Sequence, residues 1–211
     1  MIVRPFGGGP FNTTAYLVYD RAGGTGVIID APLGSTRRIT QLARDEQLLV
    51  PYVISTHGHW DNNADNVAMC AATGAQLCAH FWDATRLANP GLTSEEELAS
   101  KIKPSKADRH LGDGEILQVG ALRFEVWHTP GHTPGSICLY EPAHAAIFTG
   151  DTLLRMSIGR TDGAGGNKLA MLKTIERLSQ LPDETRVYPG HGLATSIKAE
   201  RWLLEIVTAG G

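Results

Sequence analysis

Three cysteines in 211 residues, with no CxxC pair among them, exclude a disulfide framework and a cysteine-built zinc ribbon. Cys70, Cys78 and Cys138 are expected as reduced, buried core thiols, the pattern of a cytoplasmic protein. No run approaches the ~18 consecutive apolar residues that a membrane span needs. The opening Met1-Ile2-Val3-Arg4-Pro5-Phe6 has neither the basic start nor the apolar stretch of a signal peptide. Charge of one sign is scarce too: 19 Lys and Arg face 22 Asp and Glu, a formal net charge of −3. Such a balance gives no general pull on nucleic acid or an anionic membrane. Neither the G-x-S-x-G elbow of serine hydrolases nor the G-x-x-x-x-G-K-[ST] phosphate loop occurs, so Gly7-Gly8-Gly9 and Gly163-Ala164-Gly165-Gly166 are read as tight loops. With 42% hydrophobic and 19% charged residues, the chain is expected to form one domain over 1–211 around a substantial core.

Against that plain background one stretch stands out. The apolar run Val50-Pro51-Tyr52-Val53-Ile54-Ser55 leads into Thr56-His57-Gly58-His59-Trp60-Asp61-Asn62. Two imidazoles one residue apart, with a carboxylate two further on, converge only if the backbone turns sharply, and Gly58 is expected to permit that turn. Imidazole nitrogen and carboxylate oxygen are donors that zinc, iron and manganese accept. Three more candidates follow, each beside a glycine: His132 in Thr129-Pro130-Gly131-His132-Thr133-Pro134-Gly135, Asp151 in Thr149-Gly150-Asp151, and His191 in Tyr188-Pro189-Gly190-His191-Gly192. A lone histidine is ordinarily a surface or core residue. Four such motifs in one chain invert that expectation and point to a bound metal with hydrolytic chemistry.

Short β-rich runs alternate with helical patterns. Strands are expected over 14–19, 26–30, 50–55, 75–79, 122–127, 136–140, 145–149 and 186–188, and helices over 35–47, 62–72, 168–180 and 197–207. Gly74 is expected to stop the second helix. Every candidate ligand then lies just past a strand end, where functional loops sit on a rigid scaffold. The segment from Asn89 to Asp108 breaks the rhythm: Thr93 and Ser94 precede Glu95-Glu96-Glu97 in capping-box fashion, suggesting a short surface helix, with a lid as the functional alternative.

In order and residue type the set resembles the metallo-β-lactamase fold hydrolases, whose pattern is H-x-H-x-D-H followed by separate His, Asp and His. The resemblance runs from Gly9-Pro10-Phe11-Asn12 to the last His motif. Ser157-Ile158-Gly159-Arg160-Thr161-Asp162 and the Pro-Gly-His-Gly around His191 are similar to the glyoxalase II group, especially its short bacterial members. This implies an α/β fold, an αββα four-layer sandwich of two mixed β-sheets flanked by helices, with a metal site along one edge. By the same resemblance His57, His59 and His132 hold a first metal, Asp61 and His191 a second, and Asp151 bridges them, with zinc expected, one or two ions, and iron or manganese compatible. One position departs: where the family places a final His, this chain has Asn62. An amide oxygen is a weaker zinc ligand than imidazole, although it suits hard cations. Asn62 is therefore read as a weak ligand, and the second site as weaker than the first, empty, or filled by a different metal.

The activity so implied is hydrolysis of a small-molecule thioester to a carboxylic acid and a thiol such as glutathione. Metal coordination lowers the pKa of water from about 15.7 to roughly 7, which supplies the nucleophile, and Asp61 and Asp151 are the carboxylates expected to take part. An oxidoreductase like the related persulfide dioxygenases, with one iron, is the alternative that Asn62 favours. A metal-holding module without catalysis is the third. Among the remaining side chains, His110 and His144 are expected in solvated turns, and His128 as a packed residue or a hydrogen-bond partner of the site. His80 is expected to line the cleft, Trp60 to wall the pocket or pack in the core, Arg155 to lie on the surface or reach an anionic group, and Arg160 to pair with Asp162.

Overall fold

Period-two alternation sorts the residues of each apolar run between two faces, and two sheets result. The computed structural model describes residues 1–92 and 102–209, without the side chains of residues 204 and 206–209. In the first half, β1 (Ile2–Gly8), β2 (Thr13–Tyr19), β3 (Thr25–Ile29), β4 (Leu49–Ile54), β5 (Gln76–Ala79) and β6 (Arg109–His110) form one sheet in sequence order. The first three strands pair antiparallel and β3 to β6 pair parallel. Parallel neighbours need crossovers; α1 (Thr36–Asp45) joins β3 to β4, while α2 (Trp60–Asn63) and α3 (Asn66–Thr73) lie between β4 and β5. A short α4 (Ala84–Ala88) follows β5.

The second half supplies β7 (Ile116–Val119), β8 (Leu122–His128), β9 (Ile137–Glu141), β10 (Ala146–Gly150), the small hairpin β11 (Leu153–Leu154) with β12 (Ser157–Ile158), then β13 (Arg186–Pro189) and β14 (Thr195–Ser196). Its six-stranded sheet runs β14-β13-β10-β9-β8-β7, with only β10 and β13 parallel. Two helices cover it: α5 (Lys168–Leu178), whose Asn167 cap accepts the Ala170 amide, and α6 (Ile197–Ala209).

Alternate residues explain the layers. Tyr16, Val18, Val27 and Ile29 face Phe124, Val126, Leu139 and Phe148 between the sheets. Their neighbours Leu17, Tyr19 and Ile28 turn outward onto Ile39 and Ala43 of α1 and Met69 of α3. On the opposite flank, Cys138, Ile147 and Val187 meet Met171, Ile175 and Leu178 of α5 and Ile197 of α6. This is the αββα sandwich that the resemblance implied. Phe148 anchors its centre, stacked on Tyr188 at 4.8 Å and edge-on to Tyr16 at 5.3 Å; truncating such a buried ring to Ala costs about 3–5 kcal/mol.

The helix expected over 62–72 starts earlier and is broken into α2 and α3. The cause lies in Ala31, whose amide donates to the Asn62 carbonyl at 2.7 Å and whose carbonyl accepts the Asp65 amide at 2.8 Å. The Asn63 side-chain amide ties the first turn to the ligand loop through the carbonyls of His57 at 2.7 Å and His59 at 2.6 Å. Gly74 does end α3, in the left-handed conformation at φ 73°. The capping-box helix expected after Thr93 and Ser94 lies outside the described residues. Among the described residues, no helix is long and apolar enough to cross a membrane.

Candidate metal centre

All four motif loops follow the carboxyl ends of strands, β4, β8, β10 and β13, so one edge of the sandwich gathers them. The first loop is held by Asp30, which ends β3 at φ 60° and is buried. Its carboxylate accepts the Thr56 amide at 2.8 Å and the Thr56 hydroxyl at 2.9 Å. That hydroxyl lies 3.2 Å from Nδ1 of His57, leaving Nε2 to point inward. Gly58 has a different role from the one expected. Its φ is not positive; a Cβ there would stand 2.6 Å from Cβ of Arg86, so glycine is needed for close packing and not for a left-handed turn.

The second loop shows both needs at once. Gly131 has φ 145°, and a Cβ on it would meet the Met171 backbone at 2.6 Å. The tight approach sets His132 so that its Nδ1 donates to the carbonyl of Arg160 at 2.9 Å. Nε2 then faces Nδ1 of His59 at 2.8 Å. One ring nitrogen from each of His57, His59 and His132 falls within 4.8 Å of the others.

Next to the three imidazoles stands a second group. Oδ2 of Asp151 is 3.6 Å from His132 Nε2, 3.9 Å from His57 Nε2 and 3.4 Å from His191 Nε2. His191 Nε2 also meets Oδ2 of Asp61 at 3.1 Å, and Thr13 donates to that oxygen at 3.0 Å. Asn62 is fully buried, with its amide nitrogen 3.5 Å from His57 Nε2. The structure thus brings together every sequence-predicted ligand.

Two acceptor oxygens in this cluster, Oδ1 of Asp151 and Oδ1 of Asn62, are buried without a hydrogen-bond partner. Leaving such an atom unsatisfied costs about 1–3 kcal/mol. Orphaned oxygens beside converging imidazole nitrogens fit a cation, and an N/O donor set suits zinc, iron or manganese.

Electrostatics support the assignment of His57 and His59. Burial drives His57 well below the usual imidazole range and His59 down to about 3, with neighbouring imidazoles adding to both shifts. Both are therefore neutral, the state in which a ring nitrogen can ligate. Burial raises the carboxyl of Asp151. Burial, the largest single influence, opposes charge on Asp61 and on His191, but their mutual hydrogen bond and attraction, with Thr13 on Asp61 and the charge of Asp151 on His191, together outweigh it; Asp61 is lowered, and His191 rises to about 9.

The cluster forms the floor of an open cavity of about 970 Å³, walled by Phe11, Trp60 and Leu154 and reached by Arg160. Phe11 and Trp60 lie 5.7 Å apart. Trp60 is both core and wall, being 5% exposed. Arg160 forms no ion pair with Asp162 among the described contacts; its carbonyl holds His132 and its side chain is exposed on the cavity. Arg155 lies on the surface. His80 does not line this cleft. It stacks on His128 at 4.1 Å, and His128 bonds the Pro134 carbonyl at 2.8 Å, so both serve packing. His110 and His144 are exposed, as expected, but His110 stands in strand β6 and not in a turn.

Three contributors escaped the sequence reading, Asp30, Thr13 and Asp83, and Gly190 was read only as a motif glycine and not for the space it leaves Asp151. Asp30 carried the same signal as Asp151, a carboxylate just past an apolar strand. The others act through partners at least 25 residues away in sequence, which no local pattern announces.

Comparison with known proteins agrees with this geometry. The sequence profile described as the metallo-beta-lactamase superfamily matches residues 8–191. A crystal structure of BLEG-1 B3 metallo-beta-lactamase superposes with a TM-score of 0.89 at 31% identity, covering 98% of this chain and 100% of that one. A hydroxyacylglutathione hydrolase of Maricaulis maris is 31% identical over 176 residues, 83% of this chain and 60% of its own length. The mitochondrial persulfide dioxygenase ETHE1 of Bos taurus is 33% identical over 196 residues, 90% of this chain and 70% of its own.

Proposed function

Because this chain belongs to the metallo-beta-lactamase superfamily and gathers four imidazoles and two carboxylates at one sandwich edge, we propose that it is a metal-dependent hydrolase of small-molecule thioesters. The observation that carries the reading is the pair of adjoining donor groups, His57, His59 and His132 on one side and Asp61 with His191 on the other, with Asp151 within 4 Å of members of each. The first three would hold one ion, the second pair another, and Asp151 would face both. Asn62, offering an amide oxygen, would make the second position the weaker. Zinc is the expected metal, with iron or manganese compatible with the same donors. A divalent ion bound here supplies carbonyl polarisation and an acidified water.

The remaining chemistry falls to the protein. Phe11, Trp60 and Leu154 give an acyl group an apolar wall. Arg160 stands on the same cavity, placed to meet an anionic group of the substrate. Asp151, within 4 Å of His132 and His191, would face the ion with its carboxylate and offset the positive charge there. Asp61 is fixed by Thr13 and His191 and keeps its charge, balancing the positive centre. Water and thioester become carboxylic acid and thiol, and no oxidant is needed. The likeness to a hydroxyacylglutathione hydrolase suggests glutathione as that thiol. Burial raises all three cysteine thiols, Cys70 and Cys138 to about 11 and Cys78 to about 12, which fits inert thiols in the cytoplasm.

A mononuclear oxidoreductase is the second reading, favoured by Asn62 and the likeness to ETHE1. One assay series separates the two. Metal-loaded protein is given a hydroxyacylglutathione thioester, a glutathione persulfide under oxygen, and a β-lactam. Thiol release from the first, without oxygen uptake, is expected. Oxygen consumption with the persulfide and no thioester turnover would replace the hydrolase reading.

A further inference from the structure

The side chain that joins the His57–His59 loop to the His132 loop is not itself a candidate ligand. Asp83, 1% exposed in the turn after β5, accepts the Gly58 amide at 2.7 Å and the Thr133 hydroxyl at 2.6 Å on Oδ2. On Oδ1 it accepts the Gly135 amide at 3.1 Å and Arg86 at 3.2 Å. Gly58 lies between His57 and His59, and Thr133 directly follows His132. The loops close onto this carboxylate because they carry glycines there. A Cβ on Gly58 would stand 3.1 Å from Cβ of Asp83, and one on Gly135 would stand 2.6 Å from the Asp83 amide nitrogen. Arg86 extends the hold, donating to the carbonyl of Ala164 at 2.8 Å in the loop that walls the cavity.

We infer that the Asp83–Arg86 pair is a positioning clamp: Asp83 sets the separation of the His57–His59 and His132 loops, and Arg86 fixes the 160–166 loop against them. The inference rests on the metal-centre reading above. Three charge-assisted bonds from the two loops to one buried carboxylate fix a geometry that chain connectivity does not, since the loops are about 75 residues apart. Partners that orient ligands are typically worth 10–100-fold in metal affinity.

Cobalt(II) alone, titrated into metal-free protein, is the probe, read by its visible d–d bands. In Asp83→Asn one oxygen becomes an NH2 facing donors, so cobalt affinity should fall at least ~10-fold with altered bands, while circular dichroism stays that of the parent. Thr133→Val removes a single donor and should cost severalfold. The double variant should lose no more than Asp83→Asn alone, because both act through one contact. Arg86→Gln should keep cobalt affinity within about twofold and raise KM more than it lowers kcat. Parent-like affinity and bands in Asp83→Asn, or strictly additive losses in the double variant, would overturn the clamp. If Asp83→Asn does not fold, parent-like affinity and bands in Thr133→Val overturn it equally. A parent that takes up no cobalt removes the metal-centre reading and the clamp with it.

Discussion

Gly190 is set against Asp151 so closely that a methyl group on it would stand 2.4 Å from Oδ1, the oxygen left without a partner. The same methyl would come within 3.3 Å of Oδ1 of Asn62. Gly190 does not adopt a positive φ, so the requirement is space and not backbone freedom. The Pro-Gly-His-Gly motif therefore does two jobs: it presents His191 and leaves room for the carboxylate opposite.

Gly190→Ala should push Asp151 away from His132 and His191. Overpacking of this kind costs about 1–3 kcal/mol, so the melting temperature should fall by several degrees. Bound metal should fall in step, read by elemental analysis. Unchanged metal content with unchanged melting temperature would mean that the Asp151 loop is free to give way.

Asp151→Asn tests the carboxylate without changing its shape. The amide keeps hydrogen-bonding capacity but removes the negative charge that faces three imidazoles. Thioester turnover should fall at least ~100-fold with the fold retained, in line with loss of a key electrostatic group. Steady-state kinetics with circular dichroism decide the matter. Near-normal turnover in a folded, metal-loaded variant would place the reactive centre elsewhere.

Much of this site was legible because its chemistry is local. The ligand motifs each pair a titratable residue with glycine past an apolar run, and those β-rich runs gave the strands that deliver them. What stayed hidden was supplied by contacts far apart in sequence. Strand β1 escaped notice since its glycines and Pro5 obscure the alternation, yet it pairs with β2 along its whole length. The break between α2 and α3 depends on Ala31, about thirty residues earlier, donating to the Asn62 carbonyl and accepting the Asp65 amide. Gly58 was read as a turn residue, although its neighbour in space, Arg86, is what forbids a side chain.

Asn62→His addresses the one position where this chain departs from the pattern it resembles. The Asn62 amide nitrogen lies 3.5 Å from His57 Nε2 and its oxygen lacks a partner, so the position already faces the centre. An imidazole there adds the donor that zinc prefers over an amide oxygen. Zinc content should rise towards two equivalents, with tighter binding of the second ion by titration calorimetry. A parent already holding two tightly bound zinc ions would show that the amide does not weaken the second site.

The histidine pair away from the cavity makes a pH prediction. His80 is buried and stacked on His128 at 4.1 Å with the rings 7° from parallel, and its Nδ1 accepts the Trp82 amide. Burial first, and then the charge of His128, lower His80 to about 4, with His110 adding to this and Asp83 and Asp113 opposing it. The unfolded chain takes up a proton near the ordinary imidazole pKa of about 6.5, whereas the folded chain resists until about pH 4. The stability held in neutral His80 is thus complete above pH 6.5 and is lost as pH falls towards 4. His80→Asn keeps a capping acceptor for the Trp82 amide but cannot be protonated. The gap in melting temperature between parent and variant should narrow by at least ~2 °C between pH 7.5 and pH 4.5, the shift that about 1 kcal/mol produces in a chain of this length. A gap that stays constant across that range would mean that His80 titrates as freely in the fold as in water.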